Sequence, residues 1–278
     1  MKILLFIIVL FGSSGVQAFS NEPYLANRNR LGNLRFIALY NKHWQEDSTD
    51  VYSMREEPMI LLLSSEQSKF YSFNSHFMRD SIAPRYPLNQ WNALSFKYPR
   101  PRNFYRVFKN HHQKKINFYD RVSVDLLTYS LPLQLFQWQI LPDKQQMFGY
   151  VVQKATTSFA GRDWVAWFAP EIPISDGPYK FNGLPGLIVL LHDTRNHYRF
   201  ALTSFVKINC KNRFLEKCEG MKRSAFATTW EKIFEMRRQF IQNPFGFLPN
   251  VTHHGGEAQR QEVLERIRRR NNMLELRY

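Results

Sequence analysis

From Leu34 to about Phe205 the chain alternates short apolar and aromatic runs with turn residues. Leu34-Arg35-Phe36-Ile37-Ala38-Leu39-Tyr40 is one such run and Met59 to Leu63 another. Lys69-Phe70-Tyr71-Ser72-Phe73 mixes polar and aromatic positions. Segments around Phe104–Phe108, Ile116–Tyr119 and Asp125–Tyr129 are shorter and bounded by Asn, Pro, Lys or Asp. Runs of this kind predict antiparallel strands. Between Asn74 and Arg102 the pattern fails, and Pro84, Pro87, Pro99 and Pro101 fall there. That stretch is expected to be a long insertion over one face or end of the sheet, with at most a helical turn.

The pattern is clearest from Phe136 to Asp193. Phe136 to Leu141 predicts a strand, Pro142-Asp143-Lys144 a turn, and Met147 to Phe159 a long strand. Ala160-Gly161 sits where a tight hairpin belongs, and Arg162 to Phe168 returns. Leu187 to Leu191 is a strand, His192 to Asn196 a turn, and His197 to Ile208 a further strand. The period then changes. Thr228-Thr229-Trp230-Glu231 reads as a capping box with Thr228 at the cap, and its helix runs to Pro244. His254-Gly255-Gly256 breaks the chain. Glu257 to Met273 predicts a charged helix with a narrow apolar stripe at Val263, Leu264 and Ile267. The expected fold is mainly β (α+β): an antiparallel, curved or half-open sheet with C-terminal helices. The β-rich domain is placed at residues 19–220, with the proline-rich insertion near 74–102, and a helical, basic segment at 221–278.

The N-terminus changes the setting. Lys2, the unbroken apolar run Ile3–Phe11 and the small-residue ending Val16-Gln17-Ala18 form the layout of a secretory signal peptide over residues 1–18. The apolar run is too short for a membrane-spanning helix, which needs roughly 20 residues. No cysteine follows the expected cut after Ala18, so a lipoprotein is not expected. The chain is therefore expected in the periplasm or cell envelope.

The net charge is +15. In an exported chain such a balance points away from nucleic acid and toward anionic partners: a lipid or other anionic envelope component, or an outer-membrane protein. The densest basic cluster is Arg260, Arg266, Arg268, Arg269, Arg270 and Arg277, offset by Glu262, Glu265 and Glu275. Glu262–Arg266 and Glu265–Arg269 have the spacing of an exposed helix, so the cluster also reads as a solvated helical face. Cys210 and Cys218 are either a small disulfide loop or two reduced thiols.

The stretch Gly177-Pro178-Tyr179-Lys180-Phe181-Asn182-Gly183-Leu184-Pro185-Gly186 precedes the apolar run Leu187–Leu191. No Lys or hydroxyl residue follows its glycines, which excludes a phosphate loop. Leu184-Pro185-Gly186-Leu187 fits a type II turn with positive φ at Gly186, and Gly183 permits close packing before it. Tyr179 and Phe181 are the aromatic anchors of a rigid crossover. Gly183, Leu184, Pro185 and Gly186 complete a signature loop that can also contact a ligand.

Gly183-Leu184-Pro185-Gly186-Leu187-Ile188 resembles the signature of the GLPGLI family of exported proteins, found mainly in Bacteroidetes. Gly149–Ala155, Gly161–Ser175, Gly177–Ile188 and the strand at Trp138 resemble the family's successive blocks. The family commonly has a cysteine in the first block, where this chain has Val152. The resemblance implies export and a β-rich domain. It implies no reaction and no catalytic residues.

Asp163, Glu171, His192 and Asp193 are the candidate polar site, which could do acid–base chemistry if their side chains converged. Asp163 and Asp193 are also ordinary turn residues. Neither His111-His112 nor His253-His254 is a good chelate, because neighbours on a strand point apart. No cofactor and no metal are expected. The leading expectation is a non-enzymatic envelope protein that binds an apolar or anionic ligand or an envelope partner. The alternatives are an interaction module without a small ligand, and a hydrolase-like enzyme.

Overall fold

The computed structural model describes residues 34–76, 99–123, 125–208, 225–247 and 257–277. The expected signal peptide, Cys210, Cys218, His253-His254 and residues 77–98 of the proline-rich stretch lie outside the described residues. The chain is mostly β. A single large, unclosed sheet is built from β1 (Leu34–Gln45), β2 (Met54–Ser64), β3 (Gln67–Ser72), β4 (Arg106–Asn110), β5 (Lys115–Val122), β6 (Asp125–Pro132), β7 (Gln139–Met147), β8 (Tyr150–Phe159), β9 (Arg162–Ala169), β10 (Leu187–Asp193), β11 (Tyr198–Lys207) and β12 (Phe226–Ala227). The helices are the single turn α1 (Phe73–His76), α2 (Trp230–Gln242) and α3 (Glu257–Arg268). Among the described residues no helix is long and apolar enough to cross a membrane.

The order β12-β6-β5-β4-β3-β2-β1-β11-β10-β9-β8-β7 contains two meanders of consecutive strands, β1–β6 and β7–β11. They join through the antiparallel pair β1–β11, from Phe36↔Lys207 to Trp44↔Tyr198. Among the described strands only β12 on β6 is parallel. The central strands read as continuous apolar runs because both faces are covered. Met59, Leu61 and Leu63 of β2 join the larger core cluster. Ile60 and Leu62 join a second cluster with Leu34, Ile37, Leu39 and Tyr71. The face bearing the larger cluster is called inner below. At one end of the sheet β7 is mostly exposed, as its polar sequence demands.

Four local expectations are corrected. Pro142-Asp143-Lys144 does not turn the chain. These residues lie within β7, where the register on β8 shifts between Ile140 and Lys144. Proline is tolerated there because β7 is a sheet edge, where a missing N–H breaks no second ladder. The hairpin instead turns at Phe148-Gly149, with φ of 53° and 84°, and Ala160-Gly161 turns the next one with 52° and 81°. Positive φ at both central residues matches the twist of the flanking strands.

The helix cap falls on Thr229 rather than Thr228, its side chain accepting from Lys232 N at 3.3 Å. Thr228 is held by sheet pairing, its N–H donating to Thr128 O at 2.9 Å. The last helix stops at Arg268 instead of reaching Met273. Its continuation is captured by the end of β1: Ser48 N donates to Asn271 Oδ1 at 2.9 Å and Asn272 N to Glu46 O at 3.1 Å. The C-terminal segment packs on the same core as the sheet, through Trp230, Ile233, Met236, Phe240 and Leu274.

The fourth correction concerns Gly183 and Gly186, whose roles are exchanged. Gly183 carries the positive φ, 97°, and Gly186 does not lie in that region. Gly186 N donates to Leu184 O at 2.8 Å, so the chain makes a three-residue turn about Pro185. A Cβ on Gly186 would stand 2.3 Å from Ala169 O, a backbone atom that cannot yield. Gly186→Ala is expected to destabilise by about 2–3 kcal/mol through overpacking, read as a lower urea midpoint. An unchanged midpoint would show that β9 and β10 can move apart freely.

Candidate functional site

The loop at 170–186 leaves β9, folds over the inner face and returns as β10. Its path is fixed by backbone hydrogen bonds: Ile172 N to Ala169 O, Leu187 N to Ile172 O, and Ile188 N to Asp176 O, at 3.0–3.1 Å. Tyr179, Phe181 and Leu184 are buried in the core. Phe181 stacks on Phe136 at 4.6 Å and lies 4.8 Å from Trp164 and 5.7 Å from Phe159. Trp138 Nε1 donates to Asn182 O at 2.8 Å, and its ring lies 3.7 Å from where a Gly183 side chain would begin. Tyr179 has φ of 56°, a strained value for an aromatic residue. It is held there by its ring against Tyr105 at 5.1 Å and its hydroxyl on Glu275 Oε1 at 2.7 Å.

The inner face is not an oily core. Alternation along the strands delivers charged side chains inward, and each meets a partner from another element. Lys109 of β4 donates to Asp176 Oδ1 at 2.5 Å, Gly177 O at 2.7 Å and Phe181 O at 2.9 Å. Arg162 of β9 donates to Asp193 Oδ2 at 2.8 Å, Asn272 Oδ1 at 2.6 Å, Met273 O at 2.6 Å and Leu274 O at 3.1 Å. Lys180 pairs with Glu275 and donates to Tyr129 OH at 2.6 Å. Trp230 Nε1 donates to the other Glu275 oxygen at 2.8 Å. Arg237 of α2 pairs with Asp120 of β5.

Lys42 of β1 has a different partner, Asn103 Oδ1 at 2.5 Å. Asn103 is held in turn by Glu57, which accepts from its backbone N at 2.9 Å and its side-chain amide at 2.5 Å.

Burial governs the titration of these groups. Desolvation pushes Lys180 down to about 8 against the pull of Glu275. It pushes Lys42 down to about 7, opposed by Glu57 and then Asp120. Lys109 is lowered by burial and partly restored by Asp176. Burial works to raise the Glu275 carboxyl, but Lys180 and Arg237 overcome it and hold it below its ordinary range. Tyr105, Tyr129, Tyr179 and Tyr198 are all raised, first by burial.

Asp163, Glu171, His192 and Asp193 are not brought together. Asp163 is exposed and accepts from Ser158 Oγ at 2.5 Å. Glu171 is exposed and accepts from Val151 N at 3.1 Å. Asp193 points inward, buried, with Arg162 on one oxygen and Tyr198 N on the other at 2.8 Å. His192 pairs across the ladder with Val165, and Asp193 with Trp164, so the two side chains leave opposite faces. His111 and His112 lie in the turn between β4 and β5, and His111 Nε2 stands 3.7 Å from Asp176 Oδ2. Among the described residues no group of three or more His, Cys, Asp or Glu could hold a metal.

Sequence reasoning passed over Lys42, Lys109, Arg162, Lys180 and Glu275. A signal was present for two of them: Lys42 keeps step with Tyr40 and Trp44, and Lys109 with Val107, on the inward positions of their strands.

Comparison with known proteins places this geometry. A family model, Porph_ging, described as a protein of unknown function, matches residues 154–190. It is named for Porphyromonas gingivalis, one of the Bacteroidetes. The match runs from within β8 through β9 and the loop into β10, including Gly183–Ile188. No curated protein matches the chain. Two crystal structures of PNGF-II, in different crystal forms, are similar to 73% of this chain at 12% identity with a TM-score of 0.50. The similarity covers 33% and 32% of those chains, so this chain spans about a third of their length. At that identity the likeness is one of fold.

Two expectations test the buried charges. Glu275→Ala leaves Lys180 buried without its counter-charge and is expected to cost about 3–5 kcal/mol, whereas Lys180→Met with Glu275→Leu recovers most of it. Equal unfolding midpoints for the single and double variants would deny the pairing. The second concerns pH. Lys42 and Lys180 have folded values below their unfolded ones, so the folded state binds fewer protons and stability rises with pH. The gain begins near the Lys42 value of about 7 and runs toward the ordinary lysine value of 10.5. Above about 10 the raised tyrosines reverse the trend, because ionising them is harder in the fold. Chemical denaturation from pH 7 to 10 is expected to show this rise. Lys42→Met removes up to about 1.4 kcal/mol per pH unit from the slope.

Proposed function

We propose that this is an exported, GLPGLI-type envelope protein that works by binding a protein partner rather than by catalysis. The observation that carries the reading is the occupancy of the inner face. The loop at 170–186, Trp230 and Glu275 fill the space over β4–β6 and β8–β9 where an apolar ligand would lie. Export rests on the signal-peptide layout of residues 1–18 and on the resemblance carried by Gly183–Ile188. The separation of Asp163 from the inward Asp193 weighs against the hydrolase-like alternative.

The contact surface in this reading is the β7–β8 hairpin. It exposes Ile140, Phe148 and Val151 at 46, 44 and 41% of their surface. Exposed apolar side chains gathered on one hairpin suit a protein contact better than water. Backbone pairing to the β7 edge is discouraged by Pro142, the register shift and the charged Asp143 and Lys144, so recognition runs through side chains. The net charge of +15 favours an acidic partner surface in the envelope.

Native mass spectrometry of the protein drawn gently from its own envelope fraction tests the reading. A protein complex that is lost in Phe148→Ser/Val151→Ser, with an unchanged melting temperature, is the expected result. A stoichiometric lipid on an otherwise bare chain would overturn it in favour of the carrier alternative.

A further inference from the structure

Lys42 differs from the other lysines that pair on the inner face. Lys109 and Lys180 each pair directly with a carboxylate. Among the described residues the hydrogen bond from Lys42 Nζ goes to a neutral amide, Asn103 Oδ1. Aromatic rings form its walls: Trp44 at 4.6 Å, Tyr105 at 5.2 Å, Tyr198 at 5.4 Å and Phe200 at 5.9 Å. The hydroxyl of Tyr105, whose ring is one of these walls, is buried and has no hydrogen-bond partner among the described residues. Leaving a phenol unsatisfied in an interior costs free energy. Asn103 is half-buried, and its neighbours Arg102 and Phe104 are exposed.

We propose that Lys42 and Tyr105 form a binding site for a small aldehyde, held as a reversible imine on the Lys42 amine. A desolvated lysine among apolar walls is the setting in which an amine is nucleophilic near neutrality. Burial lowers Lys42 to about 7, so much of it carries a free lone pair there. That lone pair forms the C–N bond as the carbonyl π pair moves to oxygen. A proton passes from nitrogen to oxygen. Tyr105, held in its phenol form by burial, then gives a proton to the departing oxygen and regains one from nitrogen. The C–O bond breaks, one water leaves, and nothing is oxidised or reduced.

Charge favours a carbonyl over an anionic ligand at this position. Glu57, held by Asn103, is the carboxylate with the larger electrostatic pull on Lys42, ahead of Asp120, and acts on it as a counter-charge. A neutral imine adds no anion opposite it, and one that takes up a proton from solvent restores the cation there. A bound carboxylate would set a second anion against the same charge. This site is separate from the β7–β8 hairpin and stands whether or not that hairpin binds a partner.

Benzaldehyde with sodium cyanoborohydride, applied to the folded full-length protein at pH 7, reads the site directly, because reduction fixes the imine as a benzylamine. Peptide mapping is expected to find the label concentrated on Lys42 ahead of the exposed lysines. Its rate should rise through pH 7 as the amine deprotonates. Tyr105→Phe is expected to slow labelling about tenfold, the worth of one hydrogen bond, with the near-ultraviolet dichroism of the fold intact. Label spread over surface lysines while Lys42 stays bare would overturn the proposal. The unsubstituted protein alone decides that outcome, even if Tyr105→Phe fails to fold. Lys42 labelling at an undiminished rate in a folded Tyr105→Phe protein would overturn the role of the phenol.

Discussion

Lys109 reaches from β4 across the inner face and closes on the loop at 170–186, taking Asp176 Oδ1 and the carbonyls of Gly177 and Phe181. The rest of the structure depends on this grip. The sheet is two meanders that share only the β1–β11 ladder, and Lys109 belongs to one while the loop belongs to the other. Three hydrogen bonds from one ammonium hold two backbone carbonyls and a carboxylate that water cannot reach. Once the loop is seated, Phe181 meets Phe136, Phe159 and Trp164, and Tyr179 meets Tyr105 and Phe118. Aromatic packing then binds the two halves over a larger area than the ladder alone.

The same device recurs at the C-terminus. Residues 271–277 run as a strap over the sheet, Asn272 on Gln45 and Glu46, Glu275 on Lys180, Leu276 on Ala160. Arg162 gathers Asp193, Asn272 and two strap carbonyls onto one guanidinium. Buried ion pairs of this kind add little net stability against apolar replacements, because desolvation offsets much of the Coulomb attraction. What they do is fix register. Each charge is satisfied in one arrangement only, so loop, strap and helix have one way to seat. Lys42 stands apart within that scheme, with a neutral partner and an unpaired phenol beside it.

Much of the strand pattern was legible. The central strands announced themselves as apolar runs because both their faces are covered, and the hairpin at Ala160-Gly161 was marked by its glycine. The edge was misread at Pro142, since proline signals a turn unless the strand has a free side, and only the sheet order reveals which strand that is. Gly183 and Gly186 were both identified as needed. Which one carries positive φ and which one admits a neighbour depends on Ala169 O, a contact made across the loop rather than along it.

Written locally in the chain are the β-rich class, the alternation that sends Lys42 and Lys109 inward with Tyr40, Trp44 and Val107, and the signature that tethers β9 to β10. These are local properties: side-chain period, turn chemistry and apolar content are written within a few residues. The tertiary structure alone decided which charges meet. Lys180 and Glu275 stand 95 residues apart, and Arg162 and Asn272 stand 110 apart. Nothing within either neighbourhood names the other, because a buried charge is stabilised by whatever opposite charge the fold carries to it, and that delivery is a property of the whole chain.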